Sequence, residues 1–156
     1  MRAVVQRVLE ARVDVGDVTV GRIGHGLLAY VGFGRGDTVE DRAWVLSKIV
    51  ALRVFEEGDK MARSLSDVGG SLLLVSQFTL YGDLRRGRRP SFDAAMPPDE
   101  AAVVYEQTVA EARSMGVHVE TGQFRAAMRV SSINDGPVTL WLDSADRARA
   151  ARPTAG

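Results

Sequence analysis

The sequence predicts a mixed α/β (α+β) domain, one mixed sheet with two main helices packed on it. Three observations lead there. Residues 2–15 alternate apolar and polar positions over the length of a long strand. Residues 27–33 and 71–80 are nearly unbroken apolar runs, the pattern of strands covered on both faces. Two further segments, opening at Asp37-Thr38 and at Pro97-Pro98, place acids in the first turn and then repeat apolar residues at helical spacing.

Along the first strand, Val4, Gln6, Val8 and Glu10 fall on one side and Val5, Arg7 and Leu9 on the other. Gly16-Asp17 turns the chain into a second strand over 18–23, a hairpin. Gly24-His25-Gly26 leads into the first buried run. The helix after Thr38 reaches about Leu52, with Val39, Ala43, Leu46, Ile49, Val50 and Arg53 as its stripe. Residues 53–56 read as a short strand before Gly58-Asp59. The second helix carries Ala101, Val104, Tyr105, Thr108, Ala112 and Met115, and Gly116 stops it. Strands at 117–121, 127–133 and 138–143 complete the domain, with Gly136-Pro137 as a rigid turn between the last two. A single domain is expected over 1–144, with 145–156 a flexible tail or a weak helix.

Composition narrows the chemistry. A chain of 156 residues, 46% hydrophobic, is long enough for one true core. The absence of cysteine excludes disulfides, thiolate zinc sites and a thiol nucleophile. The first residues are charged too early for a signal peptide, and no apolar run approaches the roughly 20 residues that span a bilayer. A cytoplasmic protein is expected, with neither a membrane nor DNA as partner. Its 20 basic and 20 acidic residues cancel, which argues against tight electrostatic tracking along RNA. Locally, Arg85, Arg86, Arg88 and Arg89 crowd into five residues, and this loop is either an RNA-backbone contact or a solvated basic turn.

The usual catalytic kits are missing. Ser76 and Thr79 are candidate hydroxyl nucleophiles, but no Gly-x-Ser-x-Gly elbow surrounds either. The histidines, His25 and His118, sit in no motif and read as surface residues rather than bases. No carboxylate cluster suggests a metal, and Gly32-Phe33-Gly34-Arg35-Gly36 lacks the lysine and frame of a phosphate loop. No cofactor is expected. What remains is a site built largely of backbone, where Ser76-Gln77-Phe78-Thr79 ends an apolar run and can offer N–H groups to a developing oxyanion. Phe78 is either a pocket wall or a core aromatic, and Gln77 either a ligand or a satisfied buried amide.

Several separated motifs, in order, resemble the D-aminoacyl-tRNA deacylase (D-tyrosyl-tRNA(Tyr) deacylase) family. They are Met1-Arg2-Ala3-Val4-Val5-Gln6-Arg7-Val8, then Gly32-Phe33-Gly34-Arg35-Gly36-Asp37-Thr38, and most strongly Asp67-Val68-Gly69-Gly70-Ser71-Leu72-Leu73-Leu74-Val75-Ser76-Gln77-Phe78-Thr79-Leu80-Tyr81-Gly82-Asp83. Gly87-Arg88-Arg89-Pro90-Ser91-Phe92, Gly116-Val117-His118-Val119-Glu120-Thr121-Gly122 and Asn134-Asp135-Gly136-Pro137-Val138-Thr139 follow. The resemblance covers nearly the whole chain.

It implies a partly barrel-like sheet, a homodimer, and hydrolysis of the ester joining a D-amino acid to the 3′-terminal adenosine of tRNA. Ser76, Gln77, Phe78 and Thr79 become the catalytic segment, with Thr79 positioning rather than attacking because no base adjoins it. In the family the Gly-Pro pair is cis and enters the partner subunit's active site. Gly136 and Pro137 would bind the substrate α-amino group through their carbonyls and leave no room for an L side chain. Arg7 matches the arginine that orients that pair, and Arg85, Arg86, Arg88 and Arg89 become tRNA contacts. Glycine has no side chain to reject, so glycyl-tRNA, including glycine mischarged on tRNA(Ala), is an expected substrate. Two places depart from the pattern. Met61-Ala62-Arg63-Ser64-Leu65 stands where members often read Met-Asn-x-Ser-Leu. Phe124-Arg125-Ala126-Ala127-Met128 stands where many carry Phe-Gly-Ala-Asp/Glu-Met, which touches the pocket edge. The alternatives are a non-catalytic tRNA-end binding module and a related deacylase of altered chirality.

Overall fold

In the computed structural model, residues 1–150 are described, and the part of the expected tail that falls on 151–156 lies outside them. The first strand, β1 (Arg2–Val15), is the spine of a six-stranded mixed sheet. One edge of β1 pairs antiparallel with β3 (Gly26–Gly32) through residues 2–8 and with β2 (Val18–Ile23) through residues 11–15. The sheet continues in parallel from β3 to β6 (Ser71–Ser76) and from β6 to β7 (His118–Thr121). The other edge of β1 takes β8 (Met128–Asp143), antiparallel along its whole length. The sheet curls until β2 meets β7. A Cβ on Gly21 would stand 2.2 Å from the Thr121 carbonyl oxygen, so only glycine lets the near-closed, barrel-like wall form.

The first run and residues 72–75 of the second are buried on both faces, as their lack of alternation predicts. Leu27, Ala29, Val31, Leu72 and Leu74 face a large cluster under the helices, while Leu28, Leu73 and Val75 face a smaller one inside the curl with Val8, Ala11 and Val13. The helix α1 (Val39–Ala51) contributes Val45, Leu46 and Ile49 to the large cluster, and α2 (Pro98–Ser114) contributes Tyr105, Val109 and Ala112. At the head of α1, the Thr38 hydroxyl accepts from the Asp41 N–H while the Asp41 carboxylate accepts from the Thr38 N–H, a reciprocal cap. Val39, expected on the buried stripe, is exposed.

Four local expectations are corrected. The alternation of β1 breaks beside Arg7: Ala3, Val5 and Arg7 are buried, then Val8, and Leu9 is 51% exposed. Register shifts against β8 at Gln6/Val8 and Val8/Glu10 reset the pleat there. The run at 71–80 stops as a strand at Ser76 and tightens into a 3₁₀ turn at Phe78–Tyr81. Past α1, β4 (Phe55–Glu57) pairs with a strand the sequence did not announce, β5 (Lys60–Arg63). Gly136-Pro137 does not join two strands in a hairpin. Both flanks belong to β8 and pair with β1, with Asn134 opposite Val8 and Thr139 opposite Gln6, so residues 135–138 loop out as a bulge.

After β8 come a 3₁₀ turn at Ser144–Asp146 and a single helical turn, α3 (Arg147–Ala150). Ser144 is buried, and its hydroxyl accepts from the Met1 ammonium at 2.6 Å. Among the described residues, no helix is long and apolar enough to cross a membrane.

Candidate active site

A cavity of about 600 Å³ opens where β3 and β6 end. Its floor is apolar, with Val31, Phe33, Val75 and Met96 among its residues, and its polar wall is the turn after β6, Ser76-Gln77-Phe78. The Gln77 N–H is spent on the Val31 carbonyl at 2.7 Å, which docks the turn onto β3. The next two N–H groups, of Phe78 and Thr79, open the 3₁₀ turn, where no preceding carbonyl of the turn is in reach. They are the donors left for a ligand. The Gln77 amide donates to the Thr79 hydroxyl oxygen at 2.5 Å, which leaves the Thr79 proton free to be given elsewhere. Phe78 is 59% exposed and packs edge-on against Phe92 with ring centroids 4.9 Å apart, so it is a pocket wall and not a core aromatic. Thr79 is exposed at the rim rather than in the wall.

Among the described residues, no histidine, carboxylate or lysine lines the cavity. His25 packs edge-on against Phe55, and His118 pairs with Glu120 at 2.9 Å; neither lines the cavity. Tyr105, whose hydroxyl donates to the Leu74 carbonyl, is pushed up to about 12 by burial and stays protonated at neutral pH. Among the described residues, no group of three His, Asp or Glu side chains is placed to hold a metal.

Arg7 builds a second locus. Its guanidinium, 5% exposed, donates to the Val54 carbonyl at 2.5 Å and lies 2.9 Å from the Asp135 carboxylate. The Arg7 Nε nearest that carboxylate makes no aligned hydrogen bond, so the contact is an ion pair only. The neck of the bulge is closed by Asn134, whose amide donates to the carbonyls of Arg7 at 2.9 Å and Val138 at 3.0 Å. The Gly136–Pro137 bond is cis, and both residues are exposed. Neither lines the cavity beside Ser76.

The family model for D-Tyr-tRNA(Tyr) deacylase matches residues 4–143. The chain belongs to the D-Tyr-tRNA(Tyr) deacylase family. Its relatives include the D-aminoacyl-tRNA deacylase of Desulfitobacterium hafniense, 58% identical over 145 residues, 92% of this chain and 97% of that one. The D-aminoacyl-tRNA deacylase of Thermus aquaticus is 56% identical over 148 residues, 94% and 97% of the two chains. Among solved structures, the c-Myc DNA Unwinding Element Binding Protein superposes with a TM-score of 0.87 at 37% identity, covering 92% of this chain and 98% of its own. A probable eukaryotic D-amino acid tRNA deacylase, at 21% identity and a TM-score of 0.78, shares the fold over 90% and 97% of the two chains.

In this deacylase-family chain the structure gathers Ser76, Gln77 and Phe78 around one cavity with Thr79 at its rim, and sets Arg7, Gly136 and Pro137 apart from it. The arginine loop is exposed. Arg85 is occupied by Asp83 at 2.6 Å, holding that carboxyl down to about 2, while Arg86, Arg88 and Arg89 stand open. Sequence reasoning missed Arg35, Phe92 and Ala95–Pro98 in the cavity lining. Apart from Pro98, which opens α2, they come from irregular loops with no period to read. The departure at 124–128 did mark the pocket edge, for Phe124, Arg125, Ala126 and Met128 all line it.

Proposed function

We propose that this chain hydrolyses D-aminoacyl-tRNA to free tRNA and the D-amino acid. The carrying observation is the cavity beside the Ser76–Thr79 turn, whose polar wall is Ser76-Gln77-Phe78, with the Gln77–Thr79 amide–hydroxyl pair reaching its rim. Such a wall suits an aminoacyl ester, which is already activated. The carbonyl oxygen takes the N–H groups of Phe78 and Thr79, which stabilise the negative charge that develops on it. A water oxygen attacks the carbonyl carbon, the bond to the ribose 3′ oxygen breaks, and that oxygen takes up a proton. The neighbouring ribose 2′-OH relays the proton, which the absence of a side-chain base in the cavity makes necessary. Thr79, its oxygen already accepting from Gln77, acts as a donor that positions the substrate rather than as a nucleophile.

Discrimination is steric. D and L esters carry identical groups, so attraction alone separates them poorly, whereas a rigid wall excludes one of them. That wall is Gly136-Pro137 of a second copy in a homodimer. The bulge's exposure, its tether at Asn134 and its separation from its own cavity support this reading. Arg7, packed between Val54 and Asp135, holds the bulge in place. Glycyl esters, including glycine on tRNA(Ala), pass the same wall, and Arg86, Arg88 and Arg89 contact the tRNA body in the cytoplasm.

The test is amino-acid release from matched D-Tyr-tRNA and L-Tyr-tRNA by the purified protein, with its mass measured in the same buffer. Release from the D ester alone, by a dimer, is the expected result. Inertness toward both esters would refute hydrolysis and leave a tRNA-end binding module; cleavage of the L ester would assign the altered-chirality branch.

A further inference from the structure

We propose that Arg35 and Arg125 form a phosphate clamp at the mouth of the cavity, gripping the sugar–phosphate chain that leads to the terminal nucleotide. The proposal rests on the hydrolytic reading above and names residues that neither the catalytic turn nor the arginine loop contains.

The charge distribution is the first observation. The protein as a whole is neutral, yet the charged residues lining this cavity are both arginines. Both are exposed, so they sit where a polyanion must pass if its last residue is inside. Arg35 is held from behind: its backbone N–H donates to the Ala94 carbonyl at 2.9 Å and its Nε to the Asp93 carbonyl at 2.7 Å. Its two terminal nitrogens have no partner among the described residues and present the planar fork that fits a phosphate.

Arg125 supplies the second observation. Its φ is +64°, and it is the one non-glycine residue with positive φ among those described. L side chains occupy that region at a cost, so an arginine held there marks a position where its side chain has a use. Its guanidinium rests on Asp99 at 2.9 Å, but both partners are exposed, Asp99 at 93%, and such a pair is weak and readily exchanged for phosphate. By contrast Arg85 is locked by three bonds to Asp83.

The experiment compares wild type with Arg35→Gln, Arg125→Gly and Arg125→Lys on two substrates, D-Tyr-tRNA and the phosphate-free ester 3′-O-D-tyrosyl-adenosine. It also measures binding of an uncharged CCA-ended acceptor hairpin across a salt series. Loss of either arginine should raise KM for the tRNA about tenfold with kcat held. It should flatten the log–log salt dependence of hairpin binding by about 0.7, and raise KM for the adenosine ester far less than for the tRNA. Arg125→Lys should keep the wild-type salt slope. Equal damage on both substrates would overturn the clamp, since the arginines would then merely shape the cavity; so would unchanged tRNA kinetics in a cleaving enzyme. An enzyme inert to both esters that still shows the altered slope would refute hydrolysis and uphold the clamp.

Discussion

Replacing Arg7 with methionine tests the second locus by stability. Methionine keeps most of the side-chain volume, so the loss is mainly polar. The Val54 carbonyl, on a residue 6% exposed, loses a donor from a charged group. Hydrogen bonds of that kind contribute about 1.5–3 kcal/mol. The Asp135 partner is 36% exposed, so its ion pair is partly screened and adds about 1 kcal/mol or less. The expected loss is therefore about 3 kcal/mol, with Asp135→Asn alone costing under about 1 kcal/mol. Urea unfolding at one fixed protein concentration, read by the midpoint at unchanged slope, measures both. The double variant should show coupling between the two sites. A loss below about 0.5 kcal/mol for Arg7→Met, the range of an ordinary surface change, would show that the guanidinium is incidental to the fold.

Two further outcomes follow from local geometry. Thr38→Ala should cost about 1 kcal/mol at neutral pH. Burial works to raise the Asp41 carboxyl, but the N–H and hydroxyl of Thr38 outweigh it and hold it below its ordinary value. A carboxyl depressed on folding stabilises above its unfolded pKa and loses that contribution as pH falls through the folded value. The gap between wild type and Thr38→Ala should therefore narrow on acidification, as urea titrations from neutral to acid would show. Arg125→Gly should gain stability, by up to about 1 kcal/mol after the entropy of a freer unfolded chain is subtracted; a lower melting temperature would contradict that.

The elements were legible where local chemistry and tertiary burial agree. The acids after Thr38, Pro98 in the first turn of α2, the unbroken run at 27–33 and the first six residues of the run at 71–80 each named their structure. The pleat of β1 was not legible, because the fault beside Arg7 is imposed by the bulge in a strand more than a hundred residues later. The end of β6 was only half legible. Ser76, Gln77 and Thr79 interrupt the apolar run, but the tightening into a 3₁₀ turn follows from the Gln77 N–H turning to Val31. The Ser76–Thr79 turn and the Gly-Pro pair were named from motifs. The loops that finish the cavity carry no pattern, and their residues meet only through the fold.

Register also decides what one copy can do alone. Arg7 pairs with Leu27, at the start of β3, whereas Ala3 pairs with Val31, where the cavity begins. Four residues of strand separate those levels, about 13 Å at the usual rise. The bulge sits midway along β8, whereas the cavity takes only the start of that strand, Met128 and Val130, together with the ends of β3 and β6. Turning side chains cannot close that separation, and Asn134 and Arg7 tie the bulge where it is. Under the proposed mechanism a chiral wall made of Gly136-Pro137 comes from a second copy, so activity and selectivity are expected to appear together with dimerisation. A monomeric enzyme that cleaves only the D ester would break this link, because its wall would have to be built from the cavity's own residues.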